Sequence, residues 1–166
     1  MKPAKNRPIP RPGQESVWDY PRPPRVEPSD ELVRIYQGGE LILETTESVR
    51  VLETSHPPVY YVPAAAFIPG SLVSAPGTSF CEFKGMAAYL SVHGGGIAAE
   101  RAAWYYPDPT PGFESLKGLV AVYPGLVDCC EVAGERVQPQ AGGFYGGWIT
   151  SRVVGPFKGE PGTLGW

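Results

Sequence analysis

No stretch of the 166 residues comes near the roughly 18 uninterrupted apolar positions that a membrane helix requires. The opening Met1-Lys2-Pro3-Ala4-Lys5-Asn6-Arg7-Pro8 holds no apolar run able to act as a signal peptide. A soluble, cytoplasmic protein with no membrane partner is the expectation. Cysteine is scarce: Cys81, Cys129 and Cys130 make an odd set with two neighbours adjacent, which fits reduced thiols rather than a disulfide framework. With only two histidines and no C-x-x-C pair, the chain lacks the ligand spacing of structural zinc, and no metal site is expected. Basic residues are also few, 14 against 17 acidic ones for a net charge of −3, so there is no broad basic face for nucleic acid.

Glycine (21) and proline (20) are abundant, about a quarter of the chain, yet 42% of the residues are hydrophobic. That combination excludes wholesale disorder and points to a turn-dense β fold in a single domain. Residues 1–29 carry eight prolines and six basic residues, which marks a basic, polyproline-like arm, and the remaining chain carries a formal charge of −6. Opposite charge and the apolar anchors Trp18, Tyr20 and Val26 favour a strap lying over the body or over a neighbouring subunit.

From residue 30 to 135 short β-favouring runs recur at roughly ten-residue spacing. Leu32–Tyr36 and Glu40–Glu44 flank Gln37-Gly38-Gly39 as a hairpin; Ser48–Glu53, Val59–Val62, Ser79–Phe83, Ala87–Val92, Ala103–Tyr106, Leu119–Tyr123 and Val127–Val132 follow. Short helices are open over Ile97–Ala103 or Phe113–Lys117. Residues 136–166 are glycine-rich around Gly142–Trp148 and are expected to wrap the body. The fold expected is all-β, a small antiparallel barrel or sandwich.

Val49-Arg50-Val51-Leu52-Glu53, Tyr60-Tyr61-Val62-Pro63, Cys81-Glu82-Phe83-Lys84-Gly85 with Ala88-Tyr89, and Ala103-Trp104-Tyr105-Tyr106-Pro107 occur in that order. In this the chain resembles the domain of unknown function 427 family over about residues 30–135, and Gly142–Thr150 is similar to its longer members. The resemblance implies a small β-rich fold without an assigned activity. One naming of the family is nucleotidyltransferase-like. The chemistry behind that name uses a Gly-Ser pair ahead of two metal-clamping carboxylates, whereas the four aspartates here (Asp19, Asp30, Asp108, Asp128) include no D-x-D pair.

Several residues could carry chemistry. On a strand, Glu82 and Lys84 share one face; they form either a solvated pair or a pocket face on which Lys84 clamps an anion or acts as a base and Tyr89 donates a hydrogen bond. Lys84 and Gly85 lie inside the family resemblance. Glu53 is open as a general acid or base, or as a partner of Arg50 or Arg34. His56, before Pro57-Pro58, reads as a turn residue. His93 precedes Gly94-Gly95-Gly96, which suits a lid, an anion approach or simply a flexible loop. Tyr60, Tyr61, Trp104 and Tyr105 suit either a core or the wall of a pocket for a planar ligand. Strand alternation sends neighbours to opposite faces, so one tyrosine of each adjacent pair should have its hydroxyl near water or a ligand, and one of Cys129 and Cys130 should be buried and inert.

Two functions follow. In the first, a small-molecule enzyme or ligand-binding protein uses Glu53, Lys84 and Tyr89 as catalytic groups and Tyr60, Tyr61, Trp104, Tyr105 and His93 as the binding surface. The second is a homo-oligomeric structural or regulatory protein, a homodimer being the simplest, with the aromatic residues and the arm as interface. The sequence assigns no cofactor.

Overall fold

The computed structural model describes residues 7–166, so the first part of the basic arm, 1–6, lies outside the described residues. The protein is all-β, built from two large antiparallel sheets in a sandwich-like arrangement without barrel closure. The larger sheet has seven strands in the spatial order β2 (Arg25–Ser29), β5 (Ser48–Leu52), β6 (Val59–Pro63), β10 (Leu119–Val122), β9 (Ile97–Tyr105), β8 (Gly85–Gly94) and β7 (Leu72–Cys81). The smaller has four: β12 (Glu135–Arg136), β11 (Cys129–Val132), β3 (Val33–Gln37) and β4 (Glu40–Thr45). Two short pairs complete it, β1 (Glu15–Ser16) with β15 (Val153–Val154) in parallel and β13 (Gln138–Pro139) with β14 (Trp148–Ile149) antiparallel.

Period-two alternation decides what the large sheet presents on each side. Tyr60, Val62, Ala103, Val120 and Val122 face the small sheet and form the main core with Val33, Ile35, Ile42, Leu43, Cys130 and Val132. Val51, Tyr61, Tyr89, Trp104 and Ala121 point the other way into a second apolar cluster, which Phe113 and Leu116 help to cover. Both faces of this sheet are therefore apolar. That explains why Tyr60 and Tyr61 are both buried, at 2% and 1% exposure, where a one-sided sheet would have left one of them near water.

Two local expectations change, and the short helix open over Phe113–Lys117 is met by a 3-10 turn. Ile97–Ala103 lies within a nine-residue strand rather than a helix, because Ala98, Ala99 and Ala103 pair against β8, and Ala103 also against β10, in the sheet interior. Glu114–Leu116 is a single 3-10 turn. The run expected as a strand over Ser79–Phe83 is the end of β7, which starts at Leu72 and stops at Cys81; Glu82, Phe83 and Lys84 form the turn into β8, so Glu82 and Lys84 do not share a strand face.

The proline-rich segment is built into the fold from Glu15 onward. Val17, Trp18 and Tyr20 pack with Leu52 and Val153 of the same chain, Trp18 Nε1 donates to the Pro156 carbonyl at 2.9 Å, and Arg25–Ser29 is the edge strand of the large sheet, paired with β5. The glycine-rich C-terminal stretch contributes as well: Trp148 is 1% exposed, stacks on Tyr60 with ring centroids 5.0 Å apart and donates to the Val122 carbonyl at 3.0 Å. Among the described residues no helix is long and apolar enough to cross a membrane.

The adjacent cysteines separate as alternation requires. Cys130 is fully buried, and burial pushes its thiol well above the ordinary range; Cys129 is half-buried and raised less, by burial and then by Glu131. With iodoacetamide under native conditions, intact-mass measurement should find alkylation at Cys81 and Cys129 only, Cys130 reacting after unfolding.

Candidate functional site

The second apolar face of the large sheet is incompletely covered, and the gap is a cleft of about 190 Å³. Its floor is Trp104 from β9, flanked by Tyr61 from β6 and by Ala87 and Tyr89 from β8. Trp104 Nε1 donates to the Tyr61 hydroxyl at 3.3 Å, and the Tyr123 ring lies 4.5 Å from the indole between centroids. One wall is the segment Phe144–Gly146. Gly146 lies so close over the indole that a Cβ there would stand 2.2 Å from a Trp104 ring carbon, so only glycine lets this loop seat on its floor.

Polar groups enter from two rims. At one, Glu53 and His56 follow the end of β5. Glu53 pairs with Arg22 at 3.2 Å, and not with Arg50 or Arg34: Arg50 lies on the opposite face of β5, and Arg34 pairs with Glu44 at 2.7 Å in the other sheet. His56 Nδ1 lies 2.9 Å from the Thr54 carbonyl and 4.0 Å from the Glu53 carboxylate. A carbonyl only accepts, so Nδ1 carries the proton and Nε2 keeps its lone pair. Burial pushes the imidazole below its ordinary value, against the opposing pull of the Thr54 carbonyl and Glu53; His56 is thus a neutral base near pH 7. Sequence reading assigned it only to a turn. The signal available was its three-residue spacing from Glu53.

At the other rim stands Lys84, on the β7–β8 turn, with Cys81 beside it. Thr110 clamps this turn: its N–H donates to the Lys84 carbonyl at 3.1 Å and its hydroxyl to the Phe83 carbonyl. The Lys84 ammonium lies 5.9 Å from the centre of the Tyr106 ring. The phenols stay protonated: burial pushes the Tyr61 and Tyr106 hydroxyls well up, and Tyr123 up to about 12. Tyr89 is less available than expected, because its hydroxyl donates to Ser79 Oγ at 2.9 Å while the Arg101 guanidinium lies 4.2 Å from its ring centre.

Glu53, Lys84, Tyr89, Tyr61 and Trp104, all singled out from sequence, thus line one cleft, together with His56, Tyr106, Tyr123 and the Phe144–Gly146 segment, which were not. Three other candidates lie elsewhere. Tyr60 faces the main core, its hydroxyl donating to Glu31 at 3.0 Å. Tyr105 lines a separate apolar groove with Leu72, Leu90 and Leu119. His93 is exposed near the end of β8, opposite Ala98, and the glycines after it form a packed turn against Gly38 instead of a lid.

The sequence profile of the family described as Domain of unknown function (DUF427) matches residues 25–133. The chain belongs to this family. The matched segment starts at the first residue of β2 and ends just past β11, so in this family member both large sheets fall almost wholly within it and the Phe144–Gly146 wall lies beyond it. No curated protein matches the chain. Among the described residues no group of three or more histidine, cysteine, aspartate or glutamate side chains converges as a metal site would require.

Proposed function

We propose that the protein binds a small, flat molecule in the cleft above Trp104, with His56 and Glu53 available to handle a proton at one end and Lys84 to hold a polar group at the other. The observation that supports this most is the composition of the cleft: an aromatic floor and walls with a few polar groups at opposite rims, the usual make-up of a ligand site. Its volume of about 190 Å³ lies below the ~300–1,000 Å³ typical of drug-sized ligands, which suits a single-ring compound better than a coenzyme. A neutral imidazole with a free Nε2, beside a carboxylate, is suited to accept a proton from such a molecule.

The test separates binding from folding. Native mass spectrometry of the untreated protein should show an added mass per subunit that is lost on denaturation. Lys84→Ala and Glu53→Gln should lose that mass while unfolding within about 1 kcal/mol of the wild type, because the Glu53–Arg22 pair is partly solvated and Lys84 has no ion pair among the described residues to forfeit. A fall of several degrees in melting temperature with the added mass retained would overturn the reading.

A further inference from the structure

The charge balance of the cleft is uneven in a way that specifies its ligand. Glu53 already has a counterion, the Arg22 guanidinium at 3.2 Å, with the neutral His56 imidazole 4.0 Å away. Lys84 at the opposite rim has neither an ion pair nor a side-chain hydrogen bond among the described residues, only the face of Tyr106 at 5.9 Å. The ammonium of a half-buried lysine, held beside an aromatic ring on a turn that Thr110 fixes in place, is a cation positioned without a counterion among the described residues. Around it the cleft is lined by Trp104 and Tyr106. The charge left uncompensated is therefore a single positive one, next to flat apolar surface.

We infer that the ligand is an aromatic monocarboxylate, its ring against Trp104 and its carboxylate on the Lys84 ammonium. This inference rests on the cleft being a binding site. A carboxylate is favoured over a phosphate ester because one ammonium matches one negative charge, whereas a phosphate carries about −1.5 to −2 at neutral pH and is ordinarily met by several donors or an arginine fork. Glu53 across the cleft adds to that discrimination, since a second negative charge on the ligand would be repelled by its carboxylate.

Benzoate, benzamide and phenyl phosphate are the probes, titrated into the full chain and followed by the Trp104 indole N–H resonance, assigned with Trp104→Phe, and by calorimetry. Benzoate should shift that resonance and bind roughly tenfold or more tightly than benzamide, as a charge-assisted hydrogen bond would give. Lys84→Met should remove this preference, leaving benzoate and benzamide alike, and Lys84→Arg should restore most of it. If benzamide binds as well as benzoate and Lys84→Met changes neither, the cleft is a ligand site but the carboxylate assignment is wrong. Tighter binding of phenyl phosphate than of benzoate overturns the assignment in favour of a phosphate ester. If none of the three shifts the Trp104 resonance while the protein remains folded, the inference fails together with the binding reading beneath it.

Discussion

Gly95→Ala should lower stability by about 3 kcal/mol, roughly 6–12 °C in melting temperature for a chain of this size. Gly95 sits in the turn joining β8 to β9, and Gly38 in the turn joining β3 to β4. These two turns belong to different sheets and meet backbone to backbone: a Cβ at Gly95 would stand 1.9 Å from the Gly38 carbonyl oxygen, and a Cβ at Gly38 would stand 2.0 Å from that of Gly94. A backbone atom cannot swing aside as a side chain does, so the substitution must separate the sheets locally or distort a turn, and the positive φ of 52° at Gly95 adds strain. Gly96 supplies the control. It has φ of 76° but open space around its Cα, so Gly96→Ala should cost only the conformational strain, about 1 kcal/mol. Thermal melts of the two variants should therefore differ severalfold in their shift. Equal losses would mean that the contact between the turns contributes nothing and that backbone conformation alone matters.

Glu15→Gln should be the most damaging change among the ion pairs, at about 3 kcal/mol. Arg50 projects from the middle of β5 with its side chain fully buried, and its guanidinium donates twice to Glu15, at 2.9 and 3.2 Å, and once to Glu27 at 2.9 Å. Tyr20 also donates to Glu15, at 2.8 Å. Glu15 belongs to β1 and Glu27 to β2, so the guanidinium ties the proline-rich segment to the sheet. Removing the Glu15 charge takes away the two-bond carboxylate partner of a buried guanidinium that cannot lose its proton, leaving Glu27, itself partly exposed, as the remaining carboxylate of the two. The exposed Arg34–Glu44 pair is closer, at 2.7 Å, yet its members are 38% and 48% exposed, and Glu44→Gln should cost under about 1 kcal/mol.

The same pair sets an acid limb to stability. Burial alone would raise the Glu15 carboxyl, but the hydrogen bonds from Arg50 and Tyr20 outweigh it and hold the group below its ordinary value of 4.5. A carboxyl depressed in the folded state contributes stability that is fully present above 4.5 and is lost as pH falls through the lower folded value. Urea unfolding across that window should show the wild type losing stability with acid and Glu15→Gln losing less, the two curves converging at low pH.

Much of this architecture was legible along the chain because its strands are short β-favouring runs set between turn residues. Leu32–Tyr36 with Glu40–Glu44, and Val59–Val62, read correctly because apolar β-favouring residues are concentrated there between turn residues, alternating in the first run and continuous in the other two. Ile97–Ala103 did not, because a run rich in alanine carries no strand preference of its own and becomes a strand only between β8 and β10. β7 was read as Ser79–Phe83, missing its first part because Pro76 and Gly77 interrupt it and running two residues past its end at Cys81; the structure accommodates Pro76 and Gly77 as an irregularity between Ala75 and Thr78 on an edge strand.

The cleft divides along the same line. Glu53, Lys84, Tyr61 and Trp104 stood out by residue type and by lying in the motifs that carry the family resemblance. His56 and the Phe144–Gly146 wall did not, because their part in the site depends on a turn and a loop converging from distant positions in the chain, and Tyr106, although inside one of those motifs, was not picked out as a site residue. By itself the sequence determined an all-β chain, its reduced and separated cysteines, and which side chains alternate to opposite faces, since all of these are local properties of spacing and residue type. Only the tertiary structure decided that both faces of the large sheet are covered, that Tyr60 belongs to the core while Tyr61 belongs to the cleft, and that Glu53 meets Arg22 rather than Arg50. Each of these depends on which strands become neighbours, and strand order arises from long-range packing that no local pattern encodes.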